Sequence, residues 1–164
     1  MSGTLPIVVA IVECGGKFLF IRRRRAPYEG LWSLLGGKMA PGEHPQSATI
    51  REVAEESGAA EVADYKYRGV VSERLVSDSG ELISHFLIFV SSVRVDGFSE
   101  HNREGHLASF ARHEIEHNRD EFLPSDWCMF SSFMLHENNG SLYEAELVAQ
   151  QGRYVLNYYR VVES

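Results

Sequence analysis

The 164-residue chain has only two cysteines, Cys14 and Cys128, too few and too far apart for a disulfide framework or a thiolate metal site. They read as reduced thiols, which points to a reducing compartment. It also lacks a long apolar run. The first apolar stretch covers residues 5–12, too short to span a bilayer, and no basic segment precedes it. The expectation is a cytoplasmic protein with no membrane partner. Basic charge is short too: 16 Lys and Arg stand against 23 Asp and Glu, a net charge of −7, which argues against a nucleic-acid binder. An anionic small ligand is not excluded, because a metal ion and local arginines override net charge. No repeat and no low-complexity segment occurs, and Gly15-Gly16 is a turn that does not match a dinucleotide fingerprint.

What the chain has is ordinary globular composition, 44% hydrophobic and 24% charged. Residues 5–12 are a β-branched run suited to a strand buried on both faces. Residues 17–21 form a second strand after the glycine turn, and 26–30 are loop chemistry. Pro45–Ser57 is helical, with Pro45 in the first turn and Gly58 as the stop. Strands are expected at 65–76 and 82–95 around Asp78-Ser79-Gly80, and a short one at 106–111 in an otherwise polar and irregular stretch from His101 to Asn118. A second helix opens at Pro124, capped by Ser125 or Asp126, and runs to about residue 136, with Asn138-Asn139-Gly140 as its stop. Residues 143–149 and 154–162 pair as a hairpin around Gln150-Gln151-Gly152. Strands with an inserted helix and no dividing linker make a single α/β sandwich over 1–164, with a C-terminal hairpin extension at about 141–164. The hairpin carries apolar residues on both faces, so it packs on the domain or pairs with a second copy in a homodimer.

On an ideal helix Glu52, Glu55 and Glu56 share one face, with Ile50, Val53, Ala54 and Ser57 opposite and able to pack on a sheet. Taken alone the acidic triplet is either a solvated helix face or a seat for a hard divalent cation. Arg51 can pair with Glu55 or reach back to Glu43.

The pattern Gly37-x5-Glu43-x7-Arg51-Glu52-Val53-x-Glu55-Glu56-x-Gly58 resembles the signature of the Nudix hydrolases. A chance match has odds on the order of one in 10⁸ per starting position. The approach through Leu31-Trp32 to Gly36-Gly37-Lys38 is similar as well. Two positions depart from the family: Leu34-Leu35 replaces an aromatic and a proline, and Ala59 is smaller than the usual aliphatic residue. Both bear on loop shape rather than on metal ligands. The resemblance implies an α/β/α sandwich with a mixed sheet. It implies Mg²⁺, or Mn²⁺, held by Glu52, Glu55, Glu56 and the Gly37 carbonyl. It makes Glu43 and Arg51 a structural brace. Glu52, or a carboxylate outside the motif, then orients or deprotonates the attacking water. Glu104 is the first candidate for that outside carboxylate, with Glu114 and Glu73 in reserve; the alternative for Glu104 is a surface loop residue.

The resemblance also suggests substrate contacts. Arg23 stands where some nucleoside triphosphatases of the family place a phosphate-contacting arginine, and Lys38 lies beside the metal loop. Leu123-Pro124-Ser125-Asp126-Trp127 resembles the segment that reads the base in triphosphate-cleaving members. Asp126 would accept from base N–H groups and Trp127 would stack; otherwise Asp126 is a helix cap and Trp127 is core. His101, His106, His113 and His117 match no zinc spacing. Markers of other subtypes are missing: no proline lies between Gly58 and Pro124, no tyrosine lies between Tyr67 and Tyr143, and there is no Ser-Gln-Pro-Trp segment. The default substrate is a nucleoside triphosphate, oxidised ones included, cut to monophosphate and pyrophosphate. ADP-ribose or another nucleotide sugar is the alternative, and a nucleotide-sensing module or an assembly domain without turnover the further ones.

Overall fold

The computed structural model describes residues 3–101, 104–135 and 140–163. Strand β1 (Leu5–Cys14) alternates its side chains between two cores, Val9 and Ile11 to one face, Ala10 and Val12 to the other. Burial on both faces is what its uninterrupted β-branched run requires. Strand β2 (Lys17–Arg23) does the same with Phe18 and Phe20 against Leu19 and Ile21.

Two short strands, β3 (Trp32–Ser33) and β4 (Leu35–Lys38), lead into helix α1 (Pro45–Ser57). Strands β5 (Val62–Ser77) and β6 (Leu82–Val95) form a long antiparallel pair, and β7 (Gly105–Phe110) pairs with β2. Helix α2 (Arg112–His117), a 3₁₀ turn (Arg119–Glu121) and helix α3 (Pro124–Phe130) follow, with a π-helical stretch (Ser131–Leu135) continuing α3. Strands β8 (Ser141–Gln150) and β9 (Arg153–Val161) close the chain. The sheet runs β3-β2-β1-β6-β5-β8-β9, with β4 beside β1 and β7 beside β2. It is mixed: β1–β6 and β5–β8 are parallel, the other pairs antiparallel. Helix α1 covers one face through Val53, while Ile115, Met129, Phe130 and Phe133 cover the other. This is the expected α/β class with a mixed sheet between helices.

The terminal hairpin extends the sheet rather than standing off it, because β8 pairs along β5 from Gly69 to Ser77. Its turn uses Gln151 and Gly152 at φ 48° and 78°. Three details differ from the sequence expectations. The stretch expected to be irregular after residue 111 holds α2 and the 3₁₀ turn. The strands β3 and β4 are too short to show a period. Helix α3 has Leu123 at its N-cap and no side-chain cap; Ser125 and Asp126 lie inside the first turn and are buried. The expected helix end near His136 and the Asn138-Asn139 stop lie outside the described residues. Among the described residues no helix is long and apolar enough to cross a membrane.

Candidate active site

Arg51 organises the start of the site. Its guanidinium takes Glu43 in a two-pronged pair, Nε to Oε2 at 2.8 Å and Nη2 to Oε1 at 2.9 Å. Nη1 also donates to Glu52 at 2.9 Å and Nη2 to the Lys38 carbonyl at 3.2 Å, while the Glu55 contact is longer at 3.4 Å. Glu43 in turn accepts the Ala40 N–H. The Arg51 hydrogen bonds, then that amide, pull the Glu43 carboxyl down to about 2. The expected brace between loop and helix is therefore made, and Arg51 also fixes Glu52, a contact that the spacing did not reveal. Gly58 ends the helix at φ 71°, a left-handed conformation that glycine adopts without strain.

The three motif glutamates do not behave alike. Glu55 and Glu56 are adjacent and so point roughly 100° apart around the helix. Glu55 keeps 60% of its side chain exposed and stays on the rim. Glu56 turns inward, is 7% exposed, and accepts the Gly36 N–H at 2.7 Å. Burial pushes its carboxyl up to about 8, against the pull of the Gly36 amide, with Glu52 and Glu104 adding repulsion. Glu52 is half-buried and also raised, by burial first, with Arg51 opposing. Gly37 lies against it: a methyl group there would sit 2.5 Å from the Glu52 carboxyl carbon. Glycine serves here by close approach to the Glu52 side chain rather than by backbone angle.

Glu52 and Glu56 line a cavity of about 470 Å³ with Gly37, Lys38, Glu104 and Arg23. Arg23 is held by a bond from its Nε to the Pro27 carbonyl at 3.0 Å. Arg22, next to it on β2, and Arg24, just beyond the strand, are exposed. Glu104 enters from the start of β7. Of the two reserves, Glu114 is occupied at the start of α2, where it accepts the Ala111 N–H. Glu73 lies in the same cavity, 3% exposed, and burial pushes it up to about 7 against the pull of the Ser125 and Tyr28 hydroxyls and of Arg23.

The remaining walls are Ile7, Val9, Phe86, Ile88, Leu34 and Leu123. Asp126 belongs to this part. It is 5% exposed, its Oδ2 accepts the Leu34 N–H at 2.8 Å, and burial raises it to about 8, with Glu73 repelling it as well. Trp127 does not line the cavity. One residue further round α3, it donates Nε1–H to the Ile115 carbonyl at 3.0 Å and lies 4.2 Å under the Arg119 guanidinium. The expected stacking on a base therefore finds no position here. No role in base recognition was expected of Glu73; burial of a lone carboxylate within a strand is invisible before the strand's neighbours are known.

The donors fit a hard divalent cation. Glu52, Glu56 and Glu104 repel one another across one cavity wall, and all are hard oxygen donors beside the Gly37 backbone. Among the described residues no three side chains enclose a metal by themselves. That suits Mg²⁺, which takes one or two carboxylates and completes its shell with water and phosphate oxygens.

Comparison with known proteins gives a consistent result. A family model described as the NUDIX domain matches residues 4–139. A CTP pyrophosphohydrolase of Escherichia coli is 37% identical over 76 residues, 44% of this chain and 56% of that protein. An ADP-ribose pyrophosphatase of Methanocaldococcus jannaschii is 39% identical over 51 residues, 31% of this chain and 30% of that protein. The chain thus spans only about half, or less, of the length of these curated relatives. A MutT mutator protein of Bacillus halodurans has the same fold, with a TM-score of 0.71 at 22% identity, over 96% of this chain and 97% of that one.

Proposed function

The chain belongs to the Nudix hydrolase family, and from that premise we propose that it cuts a nucleoside triphosphate, oxidised ones included, into monophosphate and pyrophosphate with the help of Mg²⁺. The observation that carries this reading is the division of a single cavity. Glu52, Glu56 and Glu104 act on one another as one group, Asp126 and Glu73 as another among apolar walls, and Arg23 acts on both groups. A nucleotide is divided the same way, into phosphates that need cations and a flat base that needs apolar walls and a few directed polar groups. Mn²⁺ would serve the same oxygen donors.

In this reading Glu52, Glu56 and the Gly37 carbonyl hold the metal, with Glu55 on the rim beside them. When bound there, such an ion would offset phosphate charge and acidify a water molecule. The chain's own residues do the rest. Arg51 fixes Glu52, and the Gly36 amide fixes Glu56. Arg23 contacts a phosphate through its guanidinium, with Lys38 at the exposed edge. Glu104 takes the proton of the attacking water; the new P–O bond forms as the anhydride P–O bond breaks, and pyrophosphate carries away the electron pair.

The relative named as an ADP-ribose pyrophosphatase favours a second reading, in which the same part of the cavity takes the diphosphate of a nucleotide sugar. A substrate panel of nucleoside triphosphates, oxidised dGTP and ADP-ribose, assayed with Mg²⁺, with Mn²⁺ and with EDTA, separates the two. Pyrophosphate release from a triphosphate, abolished by EDTA, is the expected result. Turnover of ADP-ribose alone replaces the first reading with the second, and turnover of no nucleotide leaves a binding module.

A further inference from the structure

Three buried polar atoms at one end of the cavity lack a hydrogen bond of normal geometry: Oε1 of Glu73, the Tyr28 hydroxyl and the Ser125 hydroxyl. All belong to residues at most 4% exposed, and Glu73 and Tyr28 line the cavity beside Asp126. They arrive on three separate segments: β5, the loop after β2, and α3. A buried polar atom left without a full hydrogen bond is costly. The Ser125 and Tyr28 hydroxyls approach Glu73 without closing a bond of normal geometry, unlike the Arg74–Glu146–Asn157 cluster, which is paired internally. Unpaired groups gathered against one cavity point instead to a ligand that completes them.

We propose that Glu73, with Asp126, is a specificity-determining residue that reads an amino group on the nucleobase. The proposal rests on the reading of the cavity as a nucleotide site. The chemistry follows from the donor and acceptor count. Two carboxyls bring four oxygens: the Leu34 amide takes Oδ2 of Asp126, and the Ser125 and Tyr28 hydroxyls pull on Glu73. Burial raises both groups so that the pair keeps a proton near neutrality. Even then acceptors outnumber the donated proton. A base edge with an exocyclic amino group meets these acceptors with N–H donors. An edge that carries oxygen at the same place sets oxygen against oxygen and leaves a buried acceptor unpaired, a more discriminating mismatch than a loss of apolar contact.

The test uses two pairs of substrates that each differ at one amino position: dGTP against dITP, and dCTP against dUTP. In the wild type kcat/KM should favour the amino-bearing member of at least one pair by on the order of 10- to 100-fold. Glu73→Gln places an N–H donor where an acceptor stood. It should bring that ratio close to unity. Glu73→Asp, which withdraws the carboxyl by one methylene, should do the same and serves if the glutamine variant does not fold. Turnover of these substrates without a preference in either pair overturns the role of Glu73, and so does a wild-type ratio in a folded variant. No turnover of any of the four overturns the nucleotide reading beneath it.

Discussion

The Gly36 amide donates to the buried Glu56 carboxylate at 2.7 Å, tying β4 to α1 at the point where the acidic helix face meets the sheet. This bond explains how a carboxylate 7% exposed is tolerated so close to Glu52. It supplies a donor to a carboxylate that lines the cavity. A solvated acidic face would have no use for such a bond.

Glu56→Gln keeps an oxygen for the Gly36 amide and removes only the charge. The expected outcome is a fall in kcat of about 10²–10⁴-fold, with a melting temperature equal to or above that of the wild type at pH 8. Glu52→Gln should lower kcat similarly, with a small loss of stability because Arg51 loses a charged partner. Steady-state kinetics at saturating Mg²⁺ and thermal melts check both, and retention of more than about a tenth of the activity removes these residues from the machinery.

Gly37→Ala tests the close approach. The added methyl meets the far end of the Glu52 side chain, which can swing away, so the fold should survive. The displaced carboxylate should cost activity, about 10²-fold for a shift near 1 Å, together with a weaker apparent affinity for Mg²⁺. A Mg²⁺ titration of activity that matches the wild type would show that the cramped contact has no functional meaning.

Much of this was legible beforehand where a period or a motif was present. The buried run of β1 and the limits of α1 follow from composition and from Pro45 and Gly58, and the Arg51–Glu43 brace from the family motif. The split of the acidic triplet was not legible, because a helical wheel places Glu55 and Glu56 on one face while only the sheet's position decides which of them turns inward. Asp126 shows the same limit. A short polar residue at a helix start reads as a cap; here it is buried and receives the Leu34 amide from 92 positions upstream. Glu73 keeps the period of its strand, inward with Val71 and Leu75, but apolar residues at both Val70 and Val71 and at both Leu75 and Val76 hid which face that period buries.

The raised carboxyls make stability depend on pH in a definite direction. Burial lifts Glu73 from an ordinary 4.5 to about 7 and Asp126 from 3.8 to about 8. Between these values the folded state holds protons that the unfolded chain has released, so stability falls as pH rises. The contribution is full below about pH 4 and is lost as pH passes through 7 to 8. In EDTA the melting temperature should therefore decline from pH 5 to pH 8.5, and the decline should be shallower in Glu73→Gln. Arg23 opposes this trend for both groups, and Glu56 adds to it, so the slope should not vanish in the variant. A melting temperature that rises over this range contradicts the burial of the pair.

Arg51→Ala should damage stability and rate together, because one guanidinium serves Glu43, Glu52, Glu55 and the Lys38 carbonyl. Its removal leaves four acceptors without their donor and frees the loop that carries Gly37. The expected result is a melting temperature lower by several degrees and a kcat/KM lower by about 10²-fold. Glu43→Gln keeps one hydrogen bond to Arg51 and should fall between the wild type and Arg51→Ala on both measures. An Arg51→Ala protein with wild-type melting and rate would mean that the brace is redundant.

Asp126 and Arg23 should separate the two ends of the substrate. Asp126 is mostly protonated near neutral pH by virtue of its burial, so Asp126→Asn replaces it with a group of nearly the same shape. The oxygen that accepts the Leu34 amide is kept, and the fold should be unaffected. What changes is the second position, which becomes a fixed N–H₂ donor where a carboxyl could either donate or accept. The preference among bases should therefore move by about 1–3 kcal/mol, with some nucleotides gaining as others lose. Arg23 contacts what every nucleotide has in common. Arg23→Ala should raise KM for all of them by a similar factor and leave the order of preference unchanged. Measured on the four deoxynucleoside triphosphates and oxidised dGTP, the two variants should give distinct patterns, a reordering for Asp126→Asn and a parallel decline for Arg23→Ala. A parallel decline in both would return Asp126 to the role of a structural tie between α3 and the segment before β4, and the base would then be read by the Glu73 side of the cavity alone.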